Sequence, residues 1–347
     1  MTESTATPPV LNALGIGWGT RSAAGALLDV WFPAPLLLPA ATAEVLSPRL
    51  EALAAEPSGT TISAAQAREL LSELPQPAAA ELKALCEQDL PLELIWLPTD
   101  EPIAGTAAAY LKLHLLSHCL CRPNSLNLDG IFAHLPNLAW TTRGAIPVED
   151  LQDAVVAARL DGGHLEVMSV DKFPKMANYV MPGGVRIADA SRIRLGAYLG
   201  DGTTVMHEGF VNFNAGALGP NMVEGRISQG VVIDEGTDLG GSASTMGTLS
   251  GGGEITITLG KNCLIGANAG TGIPLGDRCT IEAGLYITAG TVISLVDETG
   301  EEVRKVKARE LAGQSDMLFI RNSQTGQVMC RTNRKAIALN DALHAHN

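Results

Sequence analysis

Residues 187–223, IADASRIRLGAYLGDGTTVMHEGFVNFNAGALGPNMV, place an aliphatic side chain at every sixth position: Ile187, Ile193, Leu199, Val205, Val211, Ala217 and Val223. The frame slips after Val223 and resumes at Ile233, Leu239 and Thr245, at Leu259, Ile265 and Thr271, and finally at Leu275, Ile281, Ile287 and Ile293. Small residues recur four positions on, among them Ala197, Thr203, Ala215, Ala243 and Ala269. A six-residue unit with one inward aliphatic and one small residue is the pattern of a parallel β-helix, each coil a triangle of about three hexads. Period-two alternation alone would not demand this spacing. Each strand then pairs with the coils above and below, which satisfies the backbone and buries an apolar column with few aromatics. An aromatic content of 4% fits that economy. The widest break in the frame, from Thr245 to Leu259, contains MGTLSGGG (246–253), and glycine-rich excursions from a regular scaffold are where sites are found.

Outward from this core the composition changes. Residues 181–300 hold 25 of the 37 glycines but only Pro182, Pro220 and Pro274 of the 19 prolines. The proline-rich first half predicts helices over 63–74, with Ser63 and Gln66 as a capping box, over 78–90, over 103–121, and over 148–160 after Pro147. Short apolar runs at 92–97 and 165–170 predict strands. This half contains no Gly-rich phosphate loop and no nucleophile elbow that would claim the chemistry. Beyond Ile293 the hexads end, and a polar loop at 297–304 leads to a predicted hairpin of 317–322 with 327–332 and a short tail helix over 340–346. The chain therefore reads as mainly β, with an N-terminal α/β domain (1–182), a β-helix (183–295) and a small C-terminal β extension (296–347).

Composition narrows the function. With 24 Lys and Arg against 37 Asp and Glu, the formal charge is −13, so the chain has no general attraction to nucleic acid or to an anionic membrane, and an anionic ligand needs a local basic patch. The apolar stretch 27–41 is broken by Asp29, Pro33, Pro35 and Pro39, and no segment reaches the roughly 20 unbroken apolar residues of a membrane span. The first ten residues carry no secretory signal, which predicts a cytoplasmic location. The six cysteines lack CxxC spacing and read as reduced, buried thiols.

Long literal runs in the second half resemble one family of the hexapeptide-repeat acyltransferases, the tetrahydrodipicolinate N-succinyltransferases of lysine biosynthesis, in the branch typified by actinobacterial and pseudomonad enzymes. They are MHEGFVNFNAGALG (206–219), MVEGRIS (222–228), GGSAS (240–244), MGTLSGGG, LIGANAGTGIPLGD (264–277), IEAGLYITAGT (281–291), VKAREL (306–311) and LFIRNS (318–323). The resemblance implies a left-handed β-helix, a homotrimer with active sites in clefts between neighbouring copies, and succinyl-CoA as acyl donor to the amino group of L-2-amino-6-oxopimelate, the opened form of tetrahydrodipicolinate. On physical grounds, β-helices packed side by side form a long groove suited to a long cofactor.

Acyl transfer from a thioester to an amine needs the amine deprotonated, its attack aligned and the oxyanion stabilised. The resemblance assigns catalysis to Glu224, as general base or as the nucleophile of an acyl-anhydride; the base role requires no unstable anhydride. It points to the Gly247 backbone of a neighbouring copy as oxyanion donor. For the cofactor it carries over Arg226, Gly241, Ser244, Ala267, Glu282, Ala283, Gly290, Lys307, Ile320, Arg321, Asn322 and Ser323. Arg226, Lys307 and Arg321 are cations suited to CoA phosphates, while Gly241, Ala267 and Ala283 leave room for a pantetheine arm. It also implies a divalent cation, Mg²⁺ or another, held near the trimer axis through Glu208; the family's other acidic ligand falls near Ser191, where the nearest carboxylate is Asp189. His207 is the only histidine among the hexads, too few for a zinc-dependent β-helix enzyme unless three copies meet on an axis. The alternatives are a hexapeptide acetyltransferase using acetyl-CoA on another acceptor, and a non-catalytic β-helix scaffold.

Overall fold

A computed structural model describes residues 7–54, 56–247, 255–297 and 299–332. The proposed tail helix over 340–346 and most of the MGTLSGGG loop lie outside the described residues. The chain divides into two compact units, one made of residues 1–121, 125–174 and 178–180, the other of 122–124, 175–177 and 181–347.

In the first unit, Val10–Arg21 and Leu92–Thr99 are the central antiparallel pair of a sheet flanked by Leu27–Trp31 and Thr60–Ile62. Helices Ala40–Leu53, Ala64–Leu71 and Gln76–Cys86 bury Leu46, Leu50, Leu70 and Leu82 against Leu92 and Leu94 of the sheet. Ala64–Leu71 starts at the expected capping box, with the Ser63 hydroxyl accepting the Gln66 amide and Gln66 Oε1 accepting the Ser63 amide. Val10–Arg21 and Ala40–Leu53 carry no sequence signal of their own. The strand is rich in glycine, a poor strand former, because its neighbour crowds it: a Cβ on Gly17 would lie 2.2 Å from the Trp31 carbonyl oxygen. Helix Thr106–Ser117 is buried nearly all round, including Lys112, whose Nζ donates to Asp100 Oδ1 and to the carbonyls of Glu101 and Asn127. A second, three-stranded sheet orders Gly144–Pro147, Leu138–Thr141 and Val167–Asp171, beside helix Leu151–Leu160.

The second unit is a parallel β-helix. One face stacks Ala197–Leu199, Ala215–Ala217, Val232–Ile233 and Thr258–Leu259. The next stacks Arg186–Ile187, Thr203–Val205, Asn221–Val223, Asp238–Leu239, Leu264–Ile265 and Thr280–Ile281, and the third stacks Phe210–Val211, Arg226–Ile227, Ser244–Thr245, Gly270–Thr271 and Tyr286–Ile287. From Ile193 to Ile293 every inward position of the sequence frame is at most 3% exposed, whereas Ile187, in the outermost strand of its face, is half-buried. Met317–Arg321 pairs parallel to Thr280–Ile281 and antiparallel to Val328–Thr332, so Phe319 continues the inward column beyond Ile281.

The slips in the frame have a structural cause. Ile227, only four residues after Val223, takes the next inward position and is fully buried. The corner between them consists of Glu224 and Gly225 alone, where the coil before turns through 206–209 and the coil after through 240–243. Thr271 to Leu275 is a second four-residue step.

Candidate functional site

The two-residue corner leaves a notch in the edge of the β-helix, and Glu224 stands in it. Its backbone stays in the ladder: the Glu224 amide donates to the Leu239 carbonyl at 2.8 Å and its carbonyl accepts from the Ser242 amide at 3.3 Å. The longer corners on either side meet over it, since Ser242 Oγ donates to Glu208 Oε2 at 3.0 Å. A Cβ placed on Gly241 would lie 3.7 Å from Glu224 Oε2 and 3.8 Å from Glu208 Oε2, so the two carboxylates share the open ground beside this glycine. Next to them a cavity of about 340 Å³ is lined by Arg192, His207, Glu208, Arg226, Ser242 and Ala243.

The guanidinium groups of that cavity are fixed by neutral acceptors. Arg192 donates from Nε to the Gly209 carbonyl and from Nη2 to the Glu208 carbonyl, both at 2.9 Å. Arg226 donates from Nη2 to Ser244 Oγ at 2.7 Å, and Ser244 Oγ lies 3.5 Å from the Tyr286 hydroxyl. Arg226, Ser244, Gly270 and Tyr286 occupy matching outward positions on successive coils of the third face. Gly270 is required there because Tyr286 lies over it: a Cβ would sit 2.3 Å from Tyr286 Cε2. Asp189 engages Ser191 through the latter's hydroxyl at 2.6 Å and its amide at 2.9 Å, and these bonds, ahead of the nearby Arg192 and His207, hold its carboxyl below the usual range.

The cofactor candidates fall into two groups. Gly241, Ala267, Glu282 and Ala283 line up on one corner, joined by the Asn268 amide to the Gly241 carbonyl and the Gly284 amide to the Ala267 carbonyl, both short ladder bonds. Glu282 reaches the C-terminal strand, its carboxylate accepting the Arg321 amide at 2.8 Å, and Ile320 precedes that contact. Asn322 and Ser323 begin the hairpin turn, which Asn322 Oδ1 caps by accepting the amides of Gln324 and Thr325. Gly290 and Lys307 sit elsewhere: Gly290 lies in the corner after Tyr286–Ile287, and Lys307 pairs with Val292 in the C-terminal strands that extend the second face's sheet. Gly247 leaves the Ser244–Thr245 strand at the end remote from the corner that Glu224 shares with Gly241, after a bond from the Met246 amide to the Thr271 carbonyl.

A cation at Glu208 finds no cage in one chain. Among the described residues no three His, Cys, Asp or Glu side chains converge as a metal site, one oxygen of Glu208 serves Ser242, and Asp189 serves Ser191. Sequence reasoning gives no pointer to Arg192, Ser242 or Tyr286; the four-residue step from Val223 to Ile227 is the signal that marks the notch beside Arg192 and Ser242, while nothing in the sequence marks Tyr286.

A coiled stack of hexads with a carboxylate notch and fixed cations at its edge defines the class of hexapeptide-repeat acyltransferases, and residues 256–289 match the hexapeptide repeat of succinyl-transferase. Residues 135–175 match the middle region of tetrahydrodipicolinate N-succinyltransferase, a segment outside the runs that carried the sequence resemblance. The 2,3,4,5-tetrahydropyridine-2,6-dicarboxylate N-succinyltransferase of Pseudomonas putida is 55% identical over 342 residues, covering 97% of this chain and 99% of its own. That of Vibrio cholerae is 49% identical over 344 residues, with 96% and 99% covered. A crystal structure of a Campylobacter jejuni candidate 2,3,4,5-tetrahydropyridine-2-carboxylate N-succinyltransferase superimposes with a TM-score of 0.82 at 30% identity, covering 96% of each chain. This chain belongs to the tetrahydrodipicolinate N-succinyltransferase family, and it is an enzyme of the N-succinyltransferase type.

Proposed function

We propose that the chain transfers succinyl from succinyl-CoA to the amino group of L-2-amino-6-oxopimelate, giving the N-succinyl product and CoA in the diaminopimelate route to lysine. The observation that carries this reading is Glu224 in a two-residue corner, open on the Gly241 side and flanked by fixed guanidinium groups, in a chain whose full-length relatives are named for this reaction.

The Glu224 carboxylate accepts a proton from the acceptor's amino group as its nitrogen attacks the thioester carbon. The C–N bond forms, the carbonyl oxygen carries the negative charge, and collapse breaks the C–S bond; the thiolate leaves as CoA and takes up a proton. General-base help of this kind contributes about 10²- to 10⁴-fold. The Gly247 amide of a neighbouring copy is the oxyanion donor in this reading, supported by its placement at the opposite end of its strand from the chain's own Glu224. The same reading takes the β-helix as left-handed and three copies side by side, with pantetheine along the corner of Gly241, Ala267 and Ala283, Glu282 holding the Arg321 strand beside it, and Arg226, Arg321 and Lys307 facing the acyl and phosphate charges.

Release of free thiol from succinyl-CoA tests it, measured with and without tetrahydrodipicolinate, beside acetyl-CoA and the Glu224→Gln variant. Acceptor-dependent release that prefers succinyl-CoA and is lost on substitution is expected. No release with either donor would sink the reading.

A further inference from the structure

The cavity beside Glu224 has a charge imbalance that the donor does not account for. Two guanidinium groups and one imidazole line it against the single carboxylate of Glu208, in a chain of formal charge −13. Arg226 is already claimed for the acyl donor. Arg192 is held by two successive backbone carbonyls, which orient the fork through neutral acceptors and leave its charge facing the cavity, with Asp189 near enough to feel it. Asp189, the nearby acid on its own segment, is turned to Ser191. A guanidinium fixed by neutral acceptors and facing a cavity is preorganised for an anion, and its planar fork suits a carboxylate.

We propose that Arg192 anchors the α-carboxylate of the amine acceptor, the one on the carbon that bears the reacting nitrogen. The inference rests on the succinyl-transfer reading for its ligand. An α-carboxylate held at Arg192 sets the attached amine one carbon away, toward the side where Glu208 and Glu224 meet over Gly241. Arg192 then acts as a specificity residue: it selects α-amino acids over simple amines, and it places the nitrogen without touching the proton that Glu224 takes.

Equilibrium binding tests this apart from turnover. The probes are L-2-aminopimelate, which is the acceptor without its oxo group, and 6-aminohexanoate, the same chain without the α-carboxylate. The wild type should prefer L-2-aminopimelate by tenfold or more. Arg192→Met should erase that preference by weakening L-2-aminopimelate alone, and Arg192→Lys, which keeps the charge but not the fork, should lose part of it; succinyl-CoA binding and melting temperature should hold in the lysine variant. Equal weakening of both probes would mean that Arg192 only braces the 206–209 corner, and would overturn the proposal. So would a wild type indifferent to the α-carboxylate. Intact preference for L-2-aminopimelate without succinyl transfer would instead retire the proposed reaction and leave the anchor standing.

Discussion

Ser242 Oγ donates to Glu208 Oε2 at 3.0 Å although the two residues lie 34 positions apart, two coils removed from one another. The bond spans the coil that carries Glu224, whose shortened corner gives the two longer ones room to meet. Ser242→Ala removes this strap from an exposed position, where a hydrogen bond contributes about 0.5–1.5 kcal/mol. The expected result is a drop in kcat/KM of about three- to tenfold with a melting temperature within a few degrees of wild type, measured by the thiol-release assay and calorimetry.

Restoring the missing two residues of the corner is a stronger test of the notch. Insertion of Gly-Ser after Gly225 returns the step from Val223 to Ile227 to six, like the corners around it. The circular-dichroism spectrum should stay that of the wild type while acceptor-dependent turnover falls at least a hundredfold. Retained turnover would show that the open corner is not needed.

Gly270 is pinned between Tyr286 and the backbone, a Cβ lying 2.3 Å from Tyr286 Cε2 and 2.6 Å from the Ser244 carbonyl oxygen. Gly270→Ala must move both, at a cost of about 1–3 kcal/mol. Because Ser244 holds Arg226, the KM for succinyl-CoA should rise more than that for the acceptor. Steady-state kinetics with each substrate varied in turn reads the difference.

Lys112 and Asp100 form an ion pair at 2.6 Å, with side chains 1% and 7% exposed. Removing one partner strands the other charge, so Lys112→Met should destabilise the first unit by about 3–5 kcal/mol, while Lys112→Met with Asp100→Leu should recover part of the loss. Urea unfolding of the two variants distinguishes a stranded charge from a simple packing defect.

His114 is fully buried, with Nε2 accepting the Phe32 amide at 3.2 Å and Nδ1 at 2.7 Å from the Tyr110 carbonyl. Burial, opposed by the Tyr110 carbonyl and aided by His118, pushes its pKa down to about 3. His118 is lowered as well, again chiefly by burial. The unfolded chain binds these protons near pH 6.5 and the native state does not, so stability is intact above that pH and is lost as pH falls, at up to about 1.4 kcal/mol per unit for each group. Urea midpoints at pH 7.5 and 5.0 should therefore diverge, and His114→Leu, though weaker at pH 7.5, should show a shallower pH dependence. An unchanged slope would assign the acid sensitivity elsewhere.

The coil repeat, the inward column from Ile193 to Ile293 and the Ser63–Gln66 helix start were legible in the sequence because each is a local rule: one inward side chain per hexad, or one hydroxyl three residues from its partner amide. Glu224 was legible as a residue type inside a motif. Tertiary structure alone decided what surrounds it. Glu208 and Ser242, Arg226 and Ser244, and Gly270 and Tyr286 become neighbours because stacking sets residues 16 to 34 positions apart side by side, a separation that depends on the length of every coil between them. The glycines of Val10–Arg21 follow the same logic, since close packing against Trp31 and Phe32 at Gly15 and Gly17, and against Leu27 and Glu93 at Gly19, explains a strand built from residues that disfavour strands. Periodicity determined which side chains face inward; the coil lengths decided which outward ones meet.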